Sequence, residues 1–192
     1  MRIIGGKLKN KKLNFPENLK TRPLKDSVRE NIFNILSHSN NVGIDIRGSK
    51  VLDLYAGTGS FGLECISRGA SRVVFVENDL DALTNLKKNI KNLNSQNKTV
   101  LLTQDILELF NLLTSEVYKE KFNIIFLDPP YQDKKCVEII KIIKKKHLLN
   151  KKHIIVIHRE TKSEDHIDKH LNIIEKRIYG RSEIFFGRFF QS

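Results

Sequence analysis

Apolar positions recur along this chain at two spacings, and the switches between them mark its elements. The runs VLDLY (51–55), RVVFVE (72–77), TVLLTQD (99–105), FNIIFLD (122–128) and HIIVIHRE (153–160) are short, β-branched and mostly apolar. Such runs fit strands covered on both faces. Between them lie segments with helical spacing: GLECISRG (62–69), DLDALTNLKKNIKNL (79–93), ILELFNLL (106–113) and CVEIIKIIKKKHLL (136–149). Gly69 is a natural helix stop, and Leu83, Leu86 and Ile90 share one helix face. Strand alternating with helix predicts right-handed crossovers and a mainly parallel sheet. The last segment, IIEKRIYGRSEIFFGRFF (173–190), reads instead as two antiparallel strands around a turn at Gly180.

The first 24 residues follow neither pattern. MRIIGG and KKLNFP are strand-like pieces around KLKN, which predicts a basic hairpin. In TRPL, Pro23 biases Arg22 toward an extended conformation. Asp26 or Ser27 can then cap a helix, DSVRENIFNILSH (26–38), with Val28, Ile32, Ile35 and Leu36 at helical spacing and Ile32 and Phe33 as core. The polar, glycine-containing HSNNVGIDIRGS joins this helix to the alternating region.

At 192 residues, of which 40% are hydrophobic, the chain can bury a sizeable core, which excludes a disulfide-stapled mini-protein and full disorder. Lys and Arg number 34 against 22 Asp and Glu, a net charge of +12. That balance favours a polyanionic partner: nucleic acid, an anionic membrane surface or a nucleotide. Many lysines sit beside Asn and Ile, so base composition of the genome explains part of the excess, and the lysines of KIIKKKH read as the solvated face of a helix. Cys65 and Cys136 match no zinc or redox spacing and read as small core residues in a reducing cytoplasm. The six histidines show no ligand pattern, so no metal is expected, and His158 reads as a polar strand end. MRIIGGKLKN lacks the apolar run of a signal peptide, and nothing approaches the ~18 apolar residues of a membrane span. A cytoplasmic protein without a membrane partner is the expectation.

Two segments carry candidate chemistry. In DLYAGTGSFG (53–62) small residues leave a buried strand and open a helix. Gly57 and Gly59 permit a tight turn and close approach of a ligand, and the helix start offers free N–H groups and a positive dipole end. Gly57, Gly59 and Gly62 also spell G-x-G-x-x-G, which suits a dinucleotide. Glu77 closes the second strand 20 residues after Gly57, where a carboxylate can accept both hydroxyls of a ribose. Asp105 closes the third strand; it can meet an adenine amino group or cap the following helix. Together these residues point to an adenosine-containing ligand.

The second segment is Asp128-Pro129-Pro130-Tyr131, directly after FNIIFL. Two of the chain's four prolines are adjacent here. Pro130 has no N–H and a fixed φ, so the loop is stiff and the Pro129 carbonyl stays available as an acceptor. Asp128 supplies a second acceptor, and two converging acceptors suit an NH2 donor. Tyr131 can offer a ring face to a planar base. The alternative is a rigid strand-ending turn.

At these residues the sequence resembles the class I S-adenosylmethionine-dependent methyltransferases of the D/N-P-P-Y/F group, which methylate exocyclic amino nitrogens. Within that group it is similar to the bacterial RsmD-type enzymes, which act on the guanine N2 amine of small-subunit (16S) ribosomal RNA. The similarity runs nearly end to end. It includes RIIGGKLKNKKL, TRPLKDSVRENIFNIL, VLDLYAGTGSFGLECISRGA, VVFVEND, IIFLDPPY and YGRSEIFFGRF, with Leu24 and Lys25 departing from the pattern. The resemblance implies a Rossmann-like seven-stranded α/β fold, a basic extension over 1–40 and a methyltransferase domain over 41–192. It implies S-adenosylmethionine held by Asp53, Ala56, Gly57, Thr58, Gly59, Glu77, Asn78 and Asp105, with the target base received by Asp128, Pro129, Pro130 and Tyr131. The basic segment, represented by Arg2, Lys7, Arg22 and Arg29, then tracks phosphates of ribosomal RNA, in the small subunit or an assembly intermediate. A monomer is expected.

The rivals explain less. A DNA amino-methyltransferase normally needs a target-recognition domain for which the chain leaves little room. Protein-glutamine methylation usually has Asn before Pro-Pro and does not account for +12. A nicotinamide-dependent dehydrogenase gives no reason for DPPY, and a non-catalytic RNA-binding module would tolerate loss of Asp128.

Overall fold

The computed structural model describes residues 1–16, 24–112, 117, 120–130, 132–161, 163 and 165–190. The helices are α1 (Asp26–His38), α2 (Ser60–Ser67), α3 (Leu80–Asn92), α4 (Ile106–Asn111) and α5 (Cys136–Lys145). The strands are β1 (Lys50–Leu54), β2 (Arg72–Val76), β3 (Thr99–Leu102), β4 (Phe122–Leu127), β5 (Leu149–Glu160), β6 (Asn172–Tyr179) and β7 (Ser182–Arg188). They form one seven-stranded sheet in the order β3-β2-β1-β4-β5-β7-β6. The first five strands are parallel, and β7 runs antiparallel between β5 and β6. This is the class I methyltransferase architecture, a mainly parallel sheet closed by an antiparallel pair.

Successive strand side chains alternate between two cores. Val51, Val73, Phe75, Ile124, Phe126, Ile154 and Val156 pack with α1, α2 and α3. Leu52, Leu54, Val74, Val76, Ile125, Leu127, Ile155 and Ile157 pack with α4 and α5. Cover on both faces is why these strands read as nearly unbroken apolar runs. A stack of Phe33, Phe61 and Phe126, with ring centroids 5.0 and 4.0 Å apart, ties α1 and the start of α2 to β4.

Some expectations are corrected. The basic hairpin forms but is short: around one antiparallel bridge between Arg2 and Lys12, Ile3 N–H donates to the Lys11 carbonyl at 2.9 Å, Asn10 N–H to the Ile3 carbonyl at 2.9 Å and Leu13 N–H to the Met1 carbonyl at 3.1 Å. Its loop is held by α2: Ile4 and Gly5 N–H donate to the buried Glu64 carboxylate, each at 2.7 Å, and Lys7 N–H donates to the Ser67 carbonyl at 2.8 Å. Gly6 has φ +75°, and a Cβ there would stand 2.1 Å from that carbonyl. Ile3 and Leu13 join the same core as α1, α2 and α3, so the N-terminal segment is packed onto the sheet's helical layer. The start of α1 has no side-chain cap, because the Asp26 carboxylate bonds Arg29 at 3.0 Å instead. β3 stops at Leu102, and β5 begins at Leu149 with an irregularity opposite Phe122 to Ile124. Among the described residues no helix is long and apolar enough to cross a membrane.

Gly62 lies on the face of α2 pressed against β2, where a Cβ would meet Phe75 Cε1 at 2.3 Å and Val73 Cγ1 at 2.7 Å. Gly62→Ala should therefore cost about 1–3 kcal/mol by overpacking, read as a lowered midpoint in urea unfolding. An unchanged midpoint would show that the helix-to-sheet spacing is not tight there.

Candidate active site

β1, β2 and β3 step one way across the sheet and β4, β5 the other, so the topology reverses between β1 and β4. Ligands of open α/β sheets bind outside the strand carboxyl ends at such a reversal. The alternation that buries Val51, Phe75 and Phe126 on one face puts Asp53, Glu77 and Asp128 on that same face at the ends of β1, β2 and β4. Three carboxylates thus share one rim.

Asp53 is buried, and its Oδ2 accepts the Gly62 N–H at 2.9 Å. Its Oδ1 is buried without a hydrogen-bond partner among the described residues. Burial pushes the Asp53 carboxyl well above the usual carboxylate range; the Gly62 N–H opposes this, and the negative charges of Asp128 and Glu77 add to it. The turn after β1 is left-handed at Tyr55 (φ 60°), Gly57 (φ 56°) and Gly59 (φ 81°). A Cβ on Gly57 would meet nothing within 4 Å, so that turn faces open space, whereas one on Gly59 would strike Leu86 Cδ1 at 2.3 Å. Ala56 N–H donates to the Val76 carbonyl at 3.0 Å, and the carbonyl of the buried Thr58 accepts from Asn89 Nδ2 at 3.0 Å.

Glu77 grips this turn from β2. Its Oε2 accepts the Gly57 N–H at 2.7 Å, and its Oε1 accepts the Asn78 and Asp79 N–H groups at 2.8 Å each. Three of a carboxylate's roughly four lone-pair sites are thereby used. A ribose diol would share these oxygens or replace the Gly57 contact. Asn78 is exposed beside it. Of the two readings open for Asp105, the structure shows the cap: its side chain accepts the Leu107 N–H at 2.9 Å and meets Lys135 Nζ at 3.3 Å. Partial burial works against ionisation of Asp105, but the Leu107 N–H and the Lys135 ammonium outweigh it and hold the carboxyl below its ordinary value.

Across the crevice, Asp128 N–H donates to the Leu54 carbonyl at 3.4 Å, docking the end of β4 on β1. Pro129 is buried and Pro130 exposed, and the Pro129 carbonyl accepts no hydrogen bond from the described residues. Tyr131 and Arg22 lie outside the described residues. The loop is fastened by groups that sequence reasoning missed. His158 Nδ1 lies 2.6 Å from Asp128 Oδ1. Arg159 donates to the Pro130 carbonyl at 3.2 Å and the Asp133 carbonyl at 3.0 Å, and its charge is met by Asp165 at 2.5 Å. Tyr55 Oη donates to Asp133 Oδ2 at 2.7 Å, and burial first, then this bond, push its phenol well above the ordinary value.

Arg2 and Lys7 are exposed, as phosphate contacts require, together with Lys9, Lys11 and Lys12. Lys7 sits by Ser67 at the far end of α2, about 12 Å from the glycine turn by helix rise. Arg29 is a correction. It is fully buried and donates to the Arg2 carbonyl and to Asp26, so it cannot touch a phosphate; it ties α1 to the N-terminal segment. Among the described residues no group of three or more His, Cys, Asp or Glu is placed to hold a metal ion.

The orphaned Asp53 oxygen, the open side of Gly57 and the three-carboxylate rim fit a cofactor that carries an amino group and a positive sulfonium. Comparison with known proteins agrees. The family model described as Conserved hypothetical protein 95 matches residues 1–188. The chain is 31% identical over 183 residues to ribosomal RNA small subunit methyltransferase D of Buchnera aphidicola, covering 95% of this chain and 90% of the relative. It is also 31% identical over 163 residues to the protein of that name from Escherichia coli, covering 85% and 76%. A solved putative methyltransferase from Escherichia coli superposes with a TM-score of 0.82 at 26% identity, covering 100% of this chain and 99% of that one.

Because the folded state raises the Asp53 carboxyl, it destabilises the fold increasingly as pH rises above the unfolded value and not below it. Asp53→Asn should therefore melt a few degrees higher than the parent at pH 7.5, with the gain vanishing near pH 4. The same substitution should weaken the cationic cofactor more than its uncharged thioether product in calorimetric titration. A lower melting point at pH 7.5 with equal losses for both ligands would contradict this.

Proposed function

The chain belongs to the Conserved hypothetical protein 95 family, and on that premise we propose that it transfers a methyl group from S-adenosylmethionine to the exocyclic N2 amine of a guanine in 16S ribosomal RNA. The observation that carries this reading is the Asp128-Pro129-Pro130 corner, docked on the end of β1 that leads into the glycine turn, with acceptors on two consecutive residues, the Asp128 carboxylate and the Pro129 carbonyl. Relatives named for small-subunit ribosomal RNA methylation supply the substrate class.

When bound, S-adenosylmethionine supplies an electrophilic methyl on a sulfonium. Asp53, Ala56, Gly57, Thr58 and Gly59 would hold its methionine end, with Glu77 and Asn78 at its ribose and Asp105 near its adenine. An exocyclic amine on a purine is a weak nucleophile, because its lone pair is delocalised into the ring. The Asp128 carboxylate and Pro129 carbonyl accept its two N–H groups, orient the lone pair and favour positive charge developing on nitrogen. Alignment within reach of the methyl supplies much of the remaining rate. The amine proton leaves to Asp128 or to water. The base must leave its stack to enter, and Tyr131 offers it a ring face.

Residues 1–40 act as the RNA-contacting extension and 41–192 as the catalytic body, with Arg2, Lys7 and Arg22 on phosphates. The acceptor is the small subunit or an assembly intermediate, and the enzyme works as a cytoplasmic monomer.

Tritiated methyl transfer to small subunits lacking the modification tests the reading. Asp128→Ala should lower transfer by about 100-fold or more while cofactor affinity stays within about twofold. An equal fall in cofactor affinity would misplace the acceptor corner. Lys7→Glu should weaken RNA binding and flatten its log–log salt dependence by about 0.7–0.9 per lost phosphate contact. An unaltered slope would show that the arm does not touch RNA.

A further inference from the structure

β4 and β5 run parallel with Leu127 opposite Ile157, so the next rung sets Asp128 beside His158. Both side chains fall on the face shared by Phe126 and Val156. They meet at 2.6 Å between Nδ1 and Oδ1, with the His158 side chain 4% exposed and the Asp128 side chain 29% exposed. An ionised carboxylate only accepts, so Nδ1–H is the donor.

The torsion that sets a carboxylate plane is broad and two-fold, so an unheld aspartate samples many orientations. A charge-assisted bond from a buried ring removes that freedom. It engages one oxygen and leaves the other for an incoming N–H. The next residue works from the opposite face of β5: Arg159 holds the Pro130 and Asp133 carbonyls. Consecutive residues at the end of β5 thus fasten the acceptor corner twice, one through its carboxylate and one through its backbone.

We propose that His158 is a positioning residue for methyl transfer: its Nδ1–H fixes the Asp128 carboxylate so that the second Asp128 oxygen and the Pro129 carbonyl meet the target amine together. This rests on the methyltransferase reading given above. His158 does not touch the substrate and takes no proton from it. Its contribution is to kcat, because misplacing a reacting group by about 1 Å costs on the order of 100-fold.

The Asn and Gln variants separate the two ring nitrogens. The Asn amide nitrogen falls near the place of Nδ1, and the Gln nitrogen reaches toward Nε2. Single-turnover methyl transfer to unmodified small subunits is measured for the parent, Asp128→Ala, His158→Phe, His158→Asn and His158→Gln, with cofactor affinity and melting temperature for each. His158→Phe and His158→Gln should be slower by about 10- to 100-fold with cofactor affinity within about twofold, and His158→Asn should return to within about fivefold of the parent. If His158→Phe does not fold, the order of Asn over Gln decides alone. Equal rates for Asn and Gln, or rates like the parent in all three variants, overturn the positioning role. A parent that transfers no methyl to RNA overturns the underlying function instead, and Asp128→Ala marks the floor between the two.

Discussion

Parallel strands of matched register, ending level at a topological reversal, force every second side chain onto one rim. With Val51, Phe75 and Phe126 committed to the core under α1 to α3, Asp53, Glu77 and Asp128 have no other place to go. The rim is therefore acidic by construction, and the fold cannot bury its apolar residues without also gathering these carboxylates. The same register sets His158 beside Asp128. Cofactor cradle, acceptor corner and its fastening all descend from this one constraint.

The arrangement is costly, and the cost falls where chemistry is done. Asp53 keeps a buried oxygen without a partner among the described residues, and Tyr55 adopts a left-handed backbone that residues other than glycine rarely take. The negative charges of Asp128 and Glu77 add to the burial that raises the Asp53 carboxyl. Two closely packed cores and a sheet paired along its whole width offset these terms. A positive ligand at the rim would offset the like-charge term. The N-terminal segment is joined to this site physically: Asn14 N–H donates to Asn89 Oδ1 at 2.7 Å, and Asn89 in turn holds the Thr58 carbonyl.

Much of this was legible in the sequence, for physical reasons. Continuous β-branched runs can be little else than doubly covered strands, and the glycines of AGTGSFG stand where a turn and a close helix require them. Arg29 was misread although its spacing carried the answer: Arg29, Ile32, Phe33 and Leu36 fall on one helical stripe, and all four are buried. Asp105 was ambiguous because a cap and an adenine contact ask for the same residue at the same place. The roles of His158 and Arg159 were out of reach, since they depend on the register between β4 and β5. That register is broken by an irregularity near Phe122 and by a strand that starts earlier than its apolar run. Tyr55 and Asp133 meet only once the reversal has brought β1 and β4 side by side.

The central claim is that the corner after β4 receives a nucleobase amine. Its most direct test is nucleoside mass spectrometry of small-subunit ribosomal RNA after reaction with cofactor carrying a 13C methyl. The label is predicted in N2-methylguanosine at a single position. Label confined to a ring nitrogen, a ribose oxygen or protein, with none on an exocyclic amine, would contradict it.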